Sequence, residues 1–235
     1  EKMSKSRGNV VAPDALVDRY GTDTVRAYLL FFARWEQGGP WSSQGIEGTR
    51  RWLRRVWTLY MEPADTTGEA TPDAVTKLRR KLHQTLRRVT ADFESFQFNT
   101  TVAALMELMN EMVPARSQLE GTPVWAEAKD LYARMLAPIA PHLAEELWHA
   151  LGHETSIHRQ SWPTVDEEAA ANEEITLVVQ VNGKVRDRVT VPVGLGDDQL
   201  KEAALATEGA RKFTEGMTIR KVVVVPGRLV SIVAG

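Results

Sequence analysis

Apolar residues recur at helical spacing through the first two thirds of the chain. Between Val75 and Phe93 they fall within about 60° of one direction on a helical wheel, the pattern of a helix with one buried face. Pro13 favours the start of a short helix, Gly21 favours its end, and a second helix should run to about Arg34. Further helices are predicted over residues 46–61, 72–95, 100–119 and 123–151, the last interrupted by Pro138 and Pro141.

The pattern changes from helices to strands after Glu174. Residues 175–182 and 185–191 are rich in valine and are joined through Asn182-Gly183, a strong hairpin signal. A helix is predicted over 197–214, and two more strands over 219–225 and 229–233. The predicted fold class is therefore mainly α, a helical bundle followed by a small α+β domain. A domain of about 60 residues has a marginal core, so we expect it to be mobile on its tether.

Composition excludes several classes of protein. The 235 residues include no cysteine, which rules out a disulfide framework and any cysteine-ligated zinc or iron–sulfur site. No apolar run is long enough to suggest a membrane span, and the N-terminus lacks the design of a signal peptide. Because the first residue is Glu1 rather than methionine, we expect the chain to be part of a longer protein.

Charge is distributed unevenly along the chain. Residues 45–90 carry ten Lys and Arg against five Asp and Glu, whereas residues 91–174 carry four against fifteen. A basic block beside an acidic one suggests that a polyanion docks on part of the surface. Solvated helix faces of random sign are the alternative that these counts leave open.

Two consecutive helices place their basic residues away from their apolar faces. In the helix over 46–61 the predicted apolar face comprises Ile46, Leu53, Val56, Trp57 and Tyr60. Its arginines off that face are Arg51, Arg54 and Arg55. In the helix over 72–95 the side opposite the apolar stripe carries Lys77, Arg80, Lys81, Arg87 and Arg88. Trp52 and other aromatic residues lie among these basic residues. Nucleic-acid binding and a merely solvated surface are therefore equally favoured interpretations of the pattern.

The sharpest local signal is the run Lys2-Met3-Ser4-Lys5-Ser6, which is followed by Arg7-Gly-Asn9. A lysine is a compact cation with three donors, and serine hydroxyls add hydrogen bonds to phosphate oxygens. Two lysines and two hydroxyls beside a glycine therefore suit a triphosphate. A chance polar tail is the other interpretation of the run taken alone.

This run resembles the KMSKS signature loop of class I aminoacyl-tRNA synthetases, and the segments after it resemble the bacterial leucyl-tRNA synthetase family in order over essentially the whole chain. The segments that carry the resemblance are Val10-Val-Ala-Pro-Asp14, Trp41-Ser-Ser-Gln-Gly-Ile-Glu-Gly48, Arg51-Trp-Leu-Arg-Arg-Val-Trp57, Phe98-Asn-Thr-Thr-Val-Ala-Ala-Leu-Met-Glu-Leu108, Ala137-Pro-Ile-Ala-Pro-His142, Val179-Gln-Val-Asn-Gly-Lys-Val-Arg186 and Lys221-Val-Val-Val-Val-Pro-Gly-Arg228. The last two matter most for the choice of leucine, because valyl- and isoleucyl-type relatives end differently.

The resemblance implies an organisation and an activity. Residues 1–34 would be the signature loop and stem-contact helices, the loop belonging to a Rossmann catalytic domain that lies upstream. Residues 35–172 would be an α-helical anticodon-binding-type bundle, and 173–235 a small α+β tRNA-binding domain. The intact enzyme would activate leucine with ATP and Mg²⁺ and transfer it to tRNA(Leu), as a cytoplasmic monomer without a membrane partner. The fragment alone is predicted to be inactive.

The resemblance also implies roles for individual residues. Lys5 is the predicted catalytic residue, and the predicted ATP-binding residues are Lys2, Met3, Ser4, Lys5 and Ser6. The predicted tRNA-binding residues come instead from the basic helix faces and from the basic residues at or beside turns of the small domain. They are Arg51, Arg54, Arg55, Arg80, Arg87, Lys184, Arg186, Lys221 and Arg228.

Other readings of the sequence remain beside this one. The chain could be a free-standing, non-catalytic RNA-binding module, a plain helical interaction domain, or part of a synthetase of the valine, isoleucine or methionine type.

A metal site is not predicted. His142 and His149 are seven residues apart on one helix, about 10 Å along its axis, which is too far for one ion.

Overall fold

The computed structural model describes residues 3–34, 36–37, 39, 41–42, 45–66, 68–171 and 174–235. Of the predicted site residues, Lys2 lies outside these ranges, and the side chain of Lys5 is likewise outside what the structure describes. The chain divides into two compact units, Glu1–Ala171 and Asn172–Gly235. No helix within the described ranges is both long and apolar enough to cross a membrane.

The first unit is helical. Its α-helices in the described ranges are α1 (Pro13–Tyr20), α2 (Thr22–Phe31), α3 (Gly45–Met61), α4 (Pro72–Glu94), α5 (Phe98–Leu119), α6 (Pro123–Leu136) and α7 (Pro141–Ala150). Threonines cap two of them: Thr71 accepts a hydrogen bond from the amide of Ala74, and Thr122 from the amide of Trp125. The following proline then fills the first helical position, where its missing N–H costs nothing. These local signals explain why the predicted starts of α4 and α6 are confirmed.

The predicted end of the second helix is wrong. The second helix was expected to reach Arg34 but ends at Phe31. The ring of Tyr28 packs against Phe32 at 5.5 Å and edge-on against Trp41 at 5.2 Å. Helical spacing alone does not report the contact between Tyr28 and Trp41, which are distant in sequence.

The buried arc of α3 is rotated from the predicted one. Trp52, predicted to lie on a nucleic-acid surface, is buried, and its Nε1 donates to the Tyr132 hydroxyl at 3.1 Å. The Tyr132 hydroxyl in turn donates to the Leu105 carbonyl at 3.2 Å, and burial raises the pKa of Tyr132. Conversely Trp57, predicted to be in the core, is 42% exposed. The prediction was wrong for both tryptophans, because the buried arc also takes in Thr49 and Leu59 and so is centred away from Trp57.

The second unit is a four-stranded sheet with two helices. Its elements are β1 (Glu174–Val181), β2 (Lys184–Pro192), α8 (Asp197–Leu205), α9 (Glu208–Thr214), β3 (Ile219–Val225) and β4 (Leu229–Ala234). The strand order is β2-β1-β4-β3, with β1 antiparallel to β2 and parallel to β4. Both turn residues of the predicted hairpin have positive φ, Asn182 at 50° and Gly183 at 77°, as this type of turn requires.

The core of the second unit follows the alternation of the strands. Leu177, Val179 and Val181 of β1 are buried together with Val230 and Ile232 of β4. Successive side chains of a strand point to opposite faces, so one face of the sheet holds this core.

One predicted helix of the second unit is divided in two. The single helix expected over 197–214 breaks after Leu205, and the Thr207 side chain caps α9 by accepting from the amide of Ala210. The predicted fold class, mainly helical followed by a small α+β domain, is confirmed for the described residues.

Candidate functional site

The signature loop is closed by its own hydrogen bonds. Residues Lys5–Arg7 form one 3-10 turn, in which the Arg7 amide donates to the Ser4 carbonyl at 3.1 Å. Gly8 follows with φ +65°, a conformation that favours glycine. The Asn9 side chain then reaches back, so that its Oδ1 accepts from the Ser4 amide at 2.8 Å.

Asn9 was missed as a functional residue by sequence reasoning. The only signal in the sequence was the residue type, because asparagine side chains often hydrogen-bond nearby backbone groups in turns. The hydroxyls of Ser4 and Ser6 lie 2.8 Å apart, and Ser6 is exposed. The loop therefore presents two adjoining hydroxyls on a turn whose shape Asn9 fixes.

The chemistry of the loop suits phosphate better than metal. Residues 3–9 contain hydroxyl, amide and guanidinium groups and no carboxylate. Phosphate oxygens accept from these donors, whereas Mg²⁺ prefers carboxylate ligands. The described loop residues therefore fit the triphosphate of ATP, and a Mg²⁺ ion accompanying ATP would take its protein ligands elsewhere.

Three of the four arginines of α3 lie along the flank that faces α5. An open groove of about 560 Å³ between the two helices is lined by Arg51, Arg54, Arg55, Thr58, Leu59, Val113 and Arg116. The terminal nitrogens of Arg55 both donate to Asn110 Oδ1, at 3.1 and 3.2 Å. Three of the predicted tRNA-binding residues thus meet at one groove.

Arg116 is a member of this groove that the sequence did not single out. Its Nε donates to Glu120 Oε2 at 2.8 Å, and its guanidinium also contacts the Glu62 carbonyl. Burial works against ionisation of Glu120, but Arg116 and then Lys129 more than offset it and hold the pKa of that carboxyl below its usual range. A charged guanidinium is therefore fixed at the groove's edge.

The basic residues of α4 are in a different electrostatic setting. Arg87 pairs with Glu167, and the Arg88 guanidinium bonds Glu107 Oε2 at 3.0 Å. Other pairs along the helix join Lys77 to Glu111 at 3.6 Å, Lys81 to Glu107 at 3.8 Å and Arg79 to Asp166 at 2.8 Å. Carboxylates from the acidic stretch of sequence thus neutralise much of the basic face predicted on this helix.

The predicted tRNA-binding residues of the second unit differ in how exposed they are. Lys184 begins β2 directly after the hairpin turn and is exposed, as are Lys221 on β3 and Arg228 between β3 and β4. Arg186 is half-buried instead, with its guanidinium 3.7 Å from the centre of the Phe213 ring. Contact with RNA through Arg186 would compete with this stacking.

The candidate metal ligands on α7 are occupied by protein partners. His142 Nδ1 lies 2.8 Å from Asp23 Oδ1, and His149 Nε2 lies 3.3 Å from Glu145 Oε1. Glu145 also accepts from the Ile157 amide at 3.0 Å. Within the described part of the chain, no group of three or more His, Cys, Asp and Glu residues is placed to hold a metal ion.

Comparison with known proteins bears directly on this arrangement. The family described as the anticodon-binding domain of tRNA ligase matches residues 76–201, and the class I tRNA synthetases for isoleucine, leucine, methionine and valine match residues 1–37. The chain belongs to the anticodon-binding domain family of tRNA ligases. The first matched segment contains most of α4 and all of α5 to α7, and the second contains the signature loop with α1 and α2, whereas α3 lies between the two segments.

The relatives of this chain confirm its resemblance to bacterial leucyl-tRNA synthetase. The leucine–tRNA ligase of Dehalococcoides mccartyi is 49% identical over 234 residues, covering 99% of this chain and 29% of that protein. That of Deinococcus radiodurans is 49% identical over 235 residues, covering 100% of this chain and 28% of that protein. The chain therefore spans less than a third of the length of the curated relatives it matches.

Solved structures agree with the fold. A ternary complex of Agrobacterium radiobacter LeuRS, tRNA and LeuAMS superposes with a TM-score of 0.85 and 33% identity, covering 100% of this chain and 32% of that one. A Mycobacterium tuberculosis methionyl-tRNA synthetase covers 65% of this chain and 36% of that one, with a TM-score of 0.52 and 21% identity. The second likeness concerns the fold alone.

Proposed function

We propose that the chain is part of a class I leucine–tRNA ligase and supplies its signature loop and its tRNA-binding surfaces. The observation that carries this proposal is the match at 49% identity over the whole chain to enzymes named leucine–tRNA ligase. The folded signature loop, held by Asn9, supports it from the geometry. We also propose, from the same resemblance, that the intact enzyme is a cytoplasmic monomer.

The proposed reaction has two steps. The leucine carboxylate attacks the α-phosphate of ATP, forming leucyl-adenylate and releasing pyrophosphate. A terminal hydroxyl of tRNA(Leu) then attacks the leucyl carbonyl, and AMP leaves with the electron pair of the broken bond. Mg²⁺ bound with ATP supplies charge neutralisation on the triphosphate.

The chain's own residues would act on the phosphates and on the tRNA. Lys5 would stabilise charge that develops on the phosphates as pyrophosphate leaves. Ser4 and Ser6 would position the loop on the triphosphate, together with Lys2 and Met3, as the loop closes. The bundle and the α+β unit would hold the tRNA body while its end reaches the catalytic domain upstream.

The test uses the longer protein that contains this chain. We expect ATP–pyrophosphate exchange that depends on leucine and not on valine, isoleucine or methionine, and charging of tRNA(Leu). Exchange driven by another of these amino acids would reassign the enzyme within class I. Binding of tRNA without any exchange would instead favour a non-catalytic RNA-binding module.

A further inference from the structure

A non-helical segment at the end of the first unit lies against α4. We call residues 162–171 the strap, and they contain no helix or strand. Near its start, Trp162 Nε1 donates to the Thr90 hydroxyl at 2.9 Å. Near its end, the Ala170 carbonyl accepts from Gln84 Nε2 at 3.2 Å. The strap is therefore bonded to the same helix close to both of its ends.

The middle of the strap is bonded to a polar cluster around the buried side chain of His83 on α4. The Asp166 amide donates to His83 Nδ1 at 3.2 Å, so the proton of the neutral ring is on Nε2, which donates to Glu127 Oε1 of α6 at 3.1 Å. Arg79 completes the cluster, because its Nε donates to Glu127 Oε2 at 3.1 Å and its Nη2 to Asp166 Oδ2 at 2.8 Å. The Ala169 amide and then Arg79 hold the pKa of the Asp166 carboxyl below its usual range.

Contacts that exclude water hold the strap more firmly than its surface charges do. Arg87 and Glu167 form an ion pair in which both side chains are exposed, and such pairs contribute little to stability. By contrast, Ala170 is buried, and the Trp162 ring packs edge-on against Phe93 at 5.5 Å. Detaching the strap would return this apolar surface to water, so the docked form is favoured.

The strap determines how much free chain precedes the second unit. Residues 172 and 173 alone lie between the strap and β1, which begins at Glu174. A detached strap would add residues 162–171 to that connection, making it about six times as long. The local concentration of a tethered site falls roughly as the −3/2 power of the tether length, so we expect a fall of about tenfold.

We propose that the strap is a positioning element for tRNA charging. Its bonds to α4 keep the connection short, and the second unit therefore meets the tRNA held by the first unit at high local concentration. Asp166 and Trp162 are then positioning residues, which touch neither the tRNA nor the reacting atoms. The inference rests on the proposed function in taking the second unit to bind tRNA, and it goes further by naming what anchors that unit's connection.

The experiment measures charging kinetics of the longer protein as tRNA(Leu) is varied. The test variant is Trp162→Ala with Asp166→Ala, which changes the strap and leaves every residue of α4 in place. It should raise KM for tRNA about tenfold and leave kcat and leucine-dependent pyrophosphate exchange unchanged. Glu168→Ala removes a carboxylate from an exposed position of the strap and should leave KM unchanged. Trp162→Phe with Asp166→Asn keeps an aromatic ring and an acceptor for Arg79, and should restore most of the affinity.

A second pair of proteins separates positioning from a structural role. In an enzyme truncated at about residue 172, the same Trp162→Ala, Asp166→Ala change should have no further effect on KM, because the strap then carries nothing. An equal rise of KM in the truncated enzyme would show that the strap acts through the bundle itself and would overturn the proposal.

Hydrogen exchange of the Asp166 and Ala170 amides shows whether the strap has been released. Both amides should exchange faster in the test variant, and unchanged protection would show that these bonds do not hold the strap. Released amides with an unchanged or lower KM would refute the positioning role, while the proposed function would still stand. Absence of pyrophosphate exchange in the unmodified protein would refute the proposed function instead.

Discussion

The carboxylate of Asp23, at the start of α2, caps the beginning of α7, 120 residues away in sequence. Asp23 Oδ2 accepts from the Leu143 amide at 2.6 Å, while Oδ1 lies 2.8 Å from His142 Nδ1. Arg26, one turn along α2, donates to the Pro138 carbonyl at 3.1 Å. Since α1 and α2 follow directly on the signature loop, these bonds tie the loop's supporting helices to the end of the bundle.

We expect Asp23→Ala to destabilise the first unit. A half-buried amide at the start of α7 would lose its acceptor, and the helix would lose a negative charge near its N-terminus. Losing a cap of this kind costs about 1–2 kcal/mol, or about 2–8 °C in melting temperature for a unit of this size. The measurement is thermal unfolding of the chain followed by circular dichroism. Asp23→Asn keeps an acceptor for the Leu143 amide and should fall between the two. An Asp23→Ala chain that melts like the unmodified one would contradict the cap.

Lys5 is the predicted catalytic residue, and its test is the activation step. In the longer protein, Lys5→Ala should lower leucine-dependent pyrophosphate exchange on the order of 10²–10³-fold, because one preorganised charge on the phosphates is lost. Affinity for tRNA should be unchanged, which serves as the control for folding. Lys5→Arg keeps the charge and should recover part of the rate. Exchange near normal in Lys5→Ala would show that the assignment is wrong.

Local signals account for most of the predicted fold. Proline at the first helical position marked the start of α1, and Asn182-Gly183 marked the hairpin, because helix starts and tight turns depend on a few adjacent residues. The rotated core arc of α3 escaped prediction for the opposite reason. Which residues of a helix are buried depends on its neighbours. Trp52 packs in the core of the bundle, where the Tyr132 hydroxyl of α6 accepts its N–H.

For the candidate site too, the sequence predicted features that depend on adjacent residues and missed those that depend on distant ones. The signature run is contiguous, so its residues could be named from the sequence, and only the role of Asn9 was missed. The basic faces of α3 and α4 could be found from the sequence. Which of them is neutralised by carboxylates could not, since the acidic partners of α4 lie far along the chain. Arg87 meets Glu167, 80 residues away, and Arg88 meets Glu107 on the next helix. Charge counts along a sequence do not contain such pairings.

Arg80 and Arg87 remain predicted tRNA contacts, and the ion pair between Arg87 and Glu167 alters the size of the expected effect. Because Arg87 must exchange Glu167 for a phosphate, Arg80→Ala with Arg87→Ala should lower the salt slope of tRNA binding by about one unit rather than two. Glu167→Gln provides the complementary variant, since it frees Arg87 and should strengthen binding if Arg87 reaches phosphate. If neither variant changes affinity or slope, the basic face of α4 is solvated surface.

Asp187 gives the second unit a predicted dependence on pH. The Gly209 amide, donating at 2.7 Å, and then the Arg188 amide at 2.8 Å hold the pKa of Asp187 below its usual range. A carboxyl with a lowered pKa in the folded state stabilises that state above its unfolded pKa, about 3.9, and this contribution is lost as pH falls through the folded value. We therefore expect α9, which Asp187 holds against β2, to lose protection as the pH falls below about 4.

Hydrogen exchange of the α9 amides between about pH 5 and 2.5 is the measurement, with Asp187→Asn as the comparison. The variant should be less protected at the upper end of the range and should change less with pH. Gly209→Ala is a second probe, because an added Cβ would lie 2.3 Å from the Arg186 carbonyl oxygen. It should destabilise the same unit by about 1–3 kcal/mol. The same pH profile in Asp187→Asn as in the unmodified chain would rule out the carboxylate as the cause.

The second unit is predicted to act as a clamp on the tRNA body and to take no part in activation. It has its own core, and it carries exposed Lys184, Lys221 and Arg228, the cations we expect to meet RNA. A weak second site on the same chain works at high local concentration, so its loss should weaken binding more than its few contacts alone would suggest. Truncation of the longer protein at about residue 172 should therefore leave leucine-dependent exchange near normal while charging at limiting tRNA falls sharply. Charging should recover when tRNA is raised to saturation, because the defect is one of binding.

The triple variant Lys184→Ala, Lys221→Ala, Arg228→Ala keeps the unit in place. Its charging rate at limiting tRNA should fall less than that of the truncated enzyme. A truncated enzyme that charges limiting tRNA at the full rate would refute the clamp.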